Sequence, residues 1–118
     1  MTLLTDIITA RTKDRHQRAE RCAARILDQL GALDIDASVI GSLATGRFGL
    51  HSDIDILIRS PVDPSGRAAV ERTVAGILRG TSLPYDLIFA SDLTPAQREV
   101  FEHDLVIASG LREARAEA

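Results

Sequence analysis

Cysteine, aromatic residues and long apolar runs are the features that this sequence has least of. Cys22 is the single cysteine, so the chain can form neither an internal disulfide nor a cysteine-based zinc site, and a reducing compartment suits it. No segment approaches the roughly 20 consecutive apolar residues that cross a membrane. The N-terminus lacks the charged start and apolar run of a signal peptide. We therefore expect a cytoplasmic protein that has no membrane partner.

The low aromatic content and the negative net charge argue against a nucleic-acid-binding protein. Aromatic residues make up only 3% of the chain, too few for the repeated exposed rings on which single-stranded nucleic acid stacks. With 14 basic and 17 acidic residues the net charge is −3, so we expect no direct nucleic-acid binding. The remaining composition, 45% hydrophobic and 26% charged over 118 residues, predicts one domain spanning residues 1–118 with an aliphatic core.

Hydrophobic spacing divides the chain into alternating helices and strands. The short segment from Ser42 to Phe48 is predicted to be a helical turn that the serine opens, and Thr94-Pro95 is expected to begin the last helix. The fold class is therefore α/β, a small mixed three-stranded sheet flanked by about four helices. The other predicted elements are a basic helix over about 6–33, strands over 37–40, 54–58 and 85–90, a helix over 67–79, and a C-terminal helix over about 94–108 followed by a tail.

The first predicted helix is strongly basic along part of its length. Residues 11–25 contain six basic side chains against only Asp14 and Glu20. One interpretation is a solvated helix face, and the other is a docking surface for a partner or for RNA-associated phosphate. Both stay open from the sequence. The six residues are Arg11, Lys13, Arg15, Arg18, Arg21 and Arg25.

Two aspartates, Asp53 and Asp55, accompany the second predicted strand, which is otherwise apolar. Residues two apart on a strand point to the same face, and two ionised carboxylates side by side repel unless a cation lies between them. Mg²⁺ is the natural partner, because it takes one or two carboxylates together with phosphate oxygens. A bare Asp-x-Asp pair is more often only the solvent-exposed start of a strand, so the pair alone does not establish a metal site.

A glycine-serine loop precedes this strand. Gly41 lets the backbone approach a ligand closely, and the Ser42 hydroxyl together with the free N–H groups of the turn can bind phosphate. The alternative is a plain turn in which Ser42 caps a helix. A phosphate-binding loop shortly before a metal-binding strand is what transfer from a nucleoside triphosphate requires, so each of the two features supports the other.

The third predicted strand carries Asp86 among apolar neighbours. If this strand lies beside the second, Asp86 comes beside the Asp53 and Asp55 pair, where it can bind metal and accept the proton of an attacking hydroxyl. Two metal ions about 3.5–4 Å apart can stabilise both the attacking and the leaving oxygens of an in-line displacement. The alternative is an exposed aspartate on an edge strand after Pro84-Tyr85.

Together these motifs resemble those of the minimal nucleotidyltransferases of the DNA polymerase β superfamily, over about residues 39–89. The resemblance implies a nucleotidyltransferase-like fold and Mg²⁺-dependent transfer of a nucleoside monophosphate, most often AMP from ATP, with release of pyrophosphate. It implies that Asp53, Asp55 and Asp86 are catalytic and bind two Mg²⁺ ions. Nucleotide binding is expected at Gly41, Ser42, Arg47 and Ser52. The positions that carry the resemblance are Gly41-Ser42, Gly46, Ser52-Asp53-Ile54-Asp55 and Asp86.

The resemblance also implies a partner. Many such proteins are bacterial antitoxins encoded beside a small helical HEPN ribonuclease toxin, and in several pairs the antitoxin is reported to adenylylate a tyrosine of the toxin. We therefore expect a hetero-oligomer with a HEPN-type toxin and AMP transfer to a hydroxyl of that protein. The sequence after the third strand leaves little room for an acceptor-binding domain, so the acceptor group would arrive on its own scaffold.

The sequence departs from many of these antitoxins at one position. Leu43 stands where they have an arginine directly after Gly-Ser, and Arg47 is our candidate for the missing positive charge. This departure, together with the short chain, motivates one alternative to the catalytic antitoxin, a non-catalytic antitoxin that neutralises its partner by occlusion. A further alternative is a small-molecule nucleotidyltransferase that needs a partner subunit to bind its acceptor.

Overall fold

The computed structural model describes residues 3–103, which alternate between helices and strands. After the last strand come a 3-10 turn at Ala90–Asp92 and a helix, α4, whose described part covers residues 95–103. The predicted α/β class, with four helices and a mixed three-stranded sheet, is confirmed. The predicted end of the last helix and the tail lie outside the described residues. The other elements are α1 (Leu3–Ala32), β1 (Ala37–Ile40), α2 (Gly41–Thr45), β2 (Ile54–Ile58), α3 (Pro64–Leu78) and β3 (Tyr85–Phe89).

Strand β2 lies in the centre of the sheet. It pairs antiparallel with β1, where Ile40 is opposite Asp55. It pairs parallel with β3, where Asp86 is opposite Asp55. Two parallel strands need a crossover connection, and α3 provides it. This register places Asp55 between the end of β1 and the aspartate of β3.

One face of the sheet packs against α1 and α3 to form the core. Ile54, Ile56 and Ile58 are fully buried on this face, as alternate residues of a strand with one buried face should be. Asp55 lies between them in sequence and therefore points to the other face. No helix within residues 3–103 is both long and apolar enough to span a membrane. The buried helix side chains are Ala19, Ala23, Ile26, Leu30, Val70, Val74, Ile77 and Leu78.

The start of α3 differs from the prediction. The helix begins at Pro64 rather than at Arg67, because the Asp63 side chain accepts a hydrogen bond of 2.6 Å from the Gly66 N–H and so caps the helix. Aspartate at the N-cap followed by proline in the first turn is a favourable helix start. Pro64 and Gly66 therefore belong to the first helical turn. Helix α1 also begins earlier than expected, at Leu3.

Local contacts fix the segment that follows β3. Arg67 of α3 donates two hydrogen bonds, of 2.9 and 2.7 Å, to the Asp92 carboxylate, and its guanidinium lies 4.1 Å above the Phe89 ring. Helix α4 begins as predicted: the Thr94 N–H donates to Gln97 Oε1, and the Gln97 N–H donates to Thr94 Oγ1. This reciprocal capping satisfies two backbone N–H groups at the helix start.

Candidate active site

Asp55 lies at the centre of the site that the sequence predicted. It is half-buried, whereas Asp53 and Asp86 are exposed. The pKa of Asp55 is raised, first by burial and then by the negative charges of Asp86 and Asp53. Both effects disfavour the ionised form. The structure thus brings the three predicted aspartates close enough for their charges to interact.

These carboxylates have no compensating cation within residues 3–103. The ion pairs of this part of the chain involve none of them, and none has a hydrogen-bond partner there. No group of three or more His, Cys, Asp or Glu side chains in the same residues forms a ready metal cluster. Because Asp53 and Asp86 are exposed, their side chains can turn toward Asp55. Carboxylate oxygens are ligands that a hard divalent cation such as Mg²⁺ prefers, so the chemistry of these donors fits the implied metal.

Gly41 follows β1 directly and lies beside Asp55. Its φ of +71° falls in the left-handed region, which glycine adopts without steric cost. A Cβ atom at this position would lie 2.5 Å from Oδ2 and 3.4 Å from Cγ of Asp55. Glycine is therefore required here both by the turn of the backbone and by the position of the Asp55 carboxylate.

The glycine-serine turn is shorter than predicted. Helix α2 begins at Gly41 with Ile40 at the N-cap and no side-chain cap. It ends before Gly46, whose φ of +78° stops the helix. The expectation that Ser42 opens or caps the helix was therefore wrong. Ser42 lies inside the helix, and its hydroxyl has no hydrogen-bond partner within the described residues, which leaves it available to a ligand.

Leu43 and Arg47 have different environments. Leu43 is 7% exposed and belongs to the hydrophobic core, so it contributes no charge to the site. Arg47 is exposed, its backbone N–H donates to the Ser42 carbonyl at 2.7 Å, and its guanidinium has no partner within residues 3–103. Arg47 is thus placed next to the glycine-serine turn with its positive charge unpaired.

Ser52 closes the loop that leads into β2. Its hydroxyl accepts a hydrogen bond of 2.9 Å from the Gly49 N–H, and its own N–H donates to the Gly49 carbonyl at 3.3 Å. These bonds fix the chain immediately before Asp53. The predicted contact of Ser52 with a nucleotide stays a prediction.

Two arginines of α1 contact loops beside the site, a role that the sequence analysis did not assign to them. Arg15 donates to the carbonyls of Gly49 and Ser52, and Arg18 donates to the carbonyl of Thr81. Each arginine stands four residues before a side chain that packs into or against the core, and residues four apart share a helix face. That spacing was the available signal. The basic side chains of α1 are therefore not all free for an external partner.

A groove lies at the other end of β2, away from the three aspartates. Leu57 and Arg59 line it together with residues of the segment after β3 and of α4. None of the three aspartates lines this groove.

Carboxylates grouped beside a glycine-serine turn on a small mixed sheet are suited to metal-assisted nucleotidyl transfer. A family profile described as nucleotidyltransferase domain matches residues 21–108. Because the match covers well over half of the chain and includes every predicted site residue, the chain belongs to this family. Its general activity is the transfer of a nucleoside monophosphate, and the family generally uses a nucleoside triphosphate and a divalent metal. Searches of curated proteins and of solved structures gave no match.

Proposed function

We propose that this nucleotidyltransferase transfers AMP from ATP, with Mg²⁺, to a hydroxyl of a protein partner, and that it is the antitoxin of a HEPN-type toxin. The main support for catalysis is the position of Asp55, which lies opposite Asp86 in the sheet and within contact distance of Gly41. The choice of AMP and of the toxin as acceptor is supported by the motif resemblance.

The proposed reaction joins the acceptor oxygen to the α-phosphorus of ATP and breaks the bond from that phosphorus to pyrophosphate. Bound Mg²⁺ supplies positive charge that stabilises the attacking and leaving oxygens. Asp53 and Asp55 hold the ion, with Asp86 as a further ligand. Asp86 also accepts the proton of the attacking hydroxyl, and its exposure lets an incoming hydroxyl reach it.

The glycine-serine turn supports binding of the triphosphate beside the carboxylates. Gly41 is exposed and its backbone lies close to the Asp55 carboxylate, and the Ser42 hydroxyl is unpaired within the described residues. Arg47 adds an exposed positive charge just after α2. A cation and free hydrogen-bond donors are what a triphosphate requires, and Ser52 remains a candidate for a further contact.

An exposed aliphatic stripe at the start of α1 supports a protein as the acceptor. Exposed apolar clusters often mark sites of protein–protein contact. The neighbouring turns of α1 form a shallow depression with Leu50, which belongs to the loop before Asp53. A partner that covers both the stripe and this depression would reach that loop. The aliphatic stripe consists of Leu3, Leu4, Ile7 and Ile8, which are 75%, 66%, 40% and 45% exposed.

A non-catalytic antitoxin that acts by occlusion is the second candidate. The burial of Leu43 favours it, because this position supplies no positive charge for a triphosphate. Under this alternative the aspartates contribute nothing to neutralisation of the toxin.

Transfer of label from nucleoside triphosphates separates the two candidates. The purified chain is incubated with its HEPN-type partner, Mg²⁺ and each of the four α-labelled nucleotides. We expect ATP to label the partner, Asp55→Asn to abolish labelling, and Asp28→Asn, an exposed aspartate of α1, to label normally. Absence of label with every nucleotide contradicts the catalytic proposal. Full protection of cells by Asp55→Asn at normal protein levels supports occlusion.

A further inference from the structure

Helix α1 contacts both loops that lead into the aspartate-bearing strands. We name them the β2 loop (residues 46–53) and the β3 loop (residues 79–84). Arg15 binds the first and Arg18 binds the second. The two arginines are one helical turn apart, so a single rigid helix is attached to both loops.

Arg15 fixes the chain directly before Asp53. Its Nη1 donates hydrogen bonds of 2.7 Å to the Gly49 carbonyl and 2.9 Å to the Ser52 carbonyl. The Ser52 carbonyl belongs to the peptide group that joins Ser52 to Asp53, so this bond orients that peptide plane. The guanidinium also lies 4.8 Å from the centre of the Phe48 ring. Bonds from an ionised donor are stronger than neutral ones, and stacking adds to them.

Arg18 holds the β3 loop in a similar way. It donates to the Thr81 carbonyl at 2.5 Å. The loop contains two residues with positive φ, Gly80 at 76° and Ser82 at 60°. Serine, unlike glycine, keeps this conformation only where its surroundings fix it. The loop then meets β2, because the Ile54 N–H donates to the carbonyl of Pro84 at 2.9 Å.

Neither arginine forms an ion pair with the carboxylates. Within residues 3–103 no ion pair joins Arg15 or Arg18 to Asp53 or Asp86, and the pair partner of Arg18 is Asp14 at 3.9 Å. The hydrogen bonds of both arginines go to the loop backbone instead. Planar guanidinium groups bridge fixed acceptors better than the ammonium group of lysine.

We propose that Arg15 and Arg18 are positioning residues that attach the β2 and β3 loops to one helix and thereby set the separation of Asp53 from Asp86. This inference rests on the proposed function, in which these carboxylates hold a divalent cation. It predicts that the loops loosen and that cation affinity falls when either arginine is removed. Groups that orient metal ligands typically change metal affinity by roughly 10- to 100-fold when they are lost.

Two measurements on the full-length chain test the proposal. Amide hydrogen exchange reports the opening of each loop, and titration with Mn²⁺, followed by electron paramagnetic resonance, reports cation affinity without any turnover. The variants are Arg15→Ala, Arg15→Lys and Arg18→Ala. Arg25→Ala is the control, because Arg25 is an exposed arginine of the same helix with no partner within the described residues.

We expect faster exchange in the β2 loop of Arg15→Ala and in the β3 loop of Arg18→Ala. Both variants should bind Mn²⁺ at least about tenfold more weakly than wild type, whereas Arg25→Ala should match wild type in both measurements. Arg15→Lys keeps the positive charge but loses the planar guanidinium. Its Mn²⁺ affinity should exceed that of Arg15→Ala only to the extent that amide exchange in its β2 loop is slower.

The outcomes that overturn the proposal are distinct from those that overturn the metal site. If wild type binds no Mn²⁺, the proposed cation chemistry fails, while hydrogen exchange still decides whether the arginines hold the loops. Unchanged exchange or unchanged Mn²⁺ affinity in the alanine variants overturns the positioning role. Full affinity in Arg15→Lys with a fast-exchanging loop also overturns it, because cation affinity would then not depend on a fixed loop. If circular dichroism shows that Arg15→Ala does not fold, Arg15→Lys and Arg18→Ala carry the test.

Discussion

The backbone of Gly41 packs directly against the carboxylate of Asp55, so that a Cβ atom on residue 41 would lie 2.5 Å from Oδ2. Gly41→Ala should therefore displace Asp55 in addition to straining a backbone whose φ is +71°. The backbone strain alone costs about 1–2 kcal/mol. We expect a lower free energy of unfolding in denaturant titrations and a loss of nucleotidyl transfer.

Gly80→Ala is a matched control for this substitution. Gly80 has a similar φ of +76°, but a Cβ atom there would meet nothing within 4 Å. It should lose about 1–2 kcal/mol of stability from the backbone alone, whereas Gly41→Ala should lose more because its Cβ also meets the Asp55 carboxylate. Equal losses of stability in Gly41→Ala and Gly80→Ala would contradict the conclusion that the position of Asp55 requires glycine at residue 41.

Asp55→Asn should stabilise the protein at neutral pH in the absence of metal. Burial and the charges of Asp86 and Asp53 raise the pKa of Asp55, so the folded state favours the protonated carboxyl. Stability linked to this group is present at low pH and is lost as pH rises through the pKa of the folded state. Asparagine removes that loss, and the melting temperature should rise relative to wild type.

The pH dependence gives the control for this prediction. The advantage of Asp55→Asn should shrink as pH falls through the pKa of Asp55, because wild type then becomes neutral at this position too. Asp28→Asn removes an exposed charge elsewhere on the protein and should show no such trend. Added Mg²⁺ should stabilise wild type and leave Asp55→Asn unchanged. A lower melting temperature for Asp55→Asn at neutral pH would refute the argument.

The strands and the grouping of the aspartates could be predicted because both follow from the alternation of apolar and polar residues along each strand. Asp53 and Asp55 alternate with isoleucines that must face the core, and the observed register then needs only that β3 lies beside β2. The limits of α2 could not be predicted in the same way. They depend on positive φ at Gly41 and Gly46, and glycine permits that conformation without requiring it.

The contacts of Arg15 and Arg18 could not be read from residue types either. Both bind backbone carbonyls of loops far away in sequence, and every residue has a carbonyl, so no side-chain pattern marks the acceptor. A basic helix face has the same composition whether its arginines bind solvent, a partner or the protein's own loops. Only the loop conformation decides between them.

Gly76→Ala should stabilise the fold. Gly76 is an exposed residue inside α3, and a Cβ atom there would meet nothing within 4 Å. Alanine is favoured over glycine in a helix interior by about 0.5–1 kcal/mol, which equilibrium unfolding can measure. Gly66→Ala in the first turn of the same helix is the contrast, since its Cβ would lie 3.2 Å from Val62 Cβ and 3.3 Å from Asp63 Oδ1. A gain at Gly66 equal to that at Gly76 would show that these contacts do not matter.

Ile8→Glu should weaken modification of the partner without disturbing the enzyme itself. Ile8 belongs to the aliphatic stripe and is 45% exposed, so a charge there costs little stability in the isolated chain but opposes an apolar contact with the partner. We expect unchanged melting temperature and Mn²⁺ affinity, with transfer to the partner reduced at least about tenfold, or about 1.4 kcal/mol. Thr9→Glu adds the same charge at the next residue, on another side of the helix, and should transfer normally. Normal transfer by Ile8→Glu would exclude the stripe as the docking surface. Conversion of a wild-type dimer to a monomer by Ile8→Glu in sedimentation would assign the stripe to a second copy of the chain.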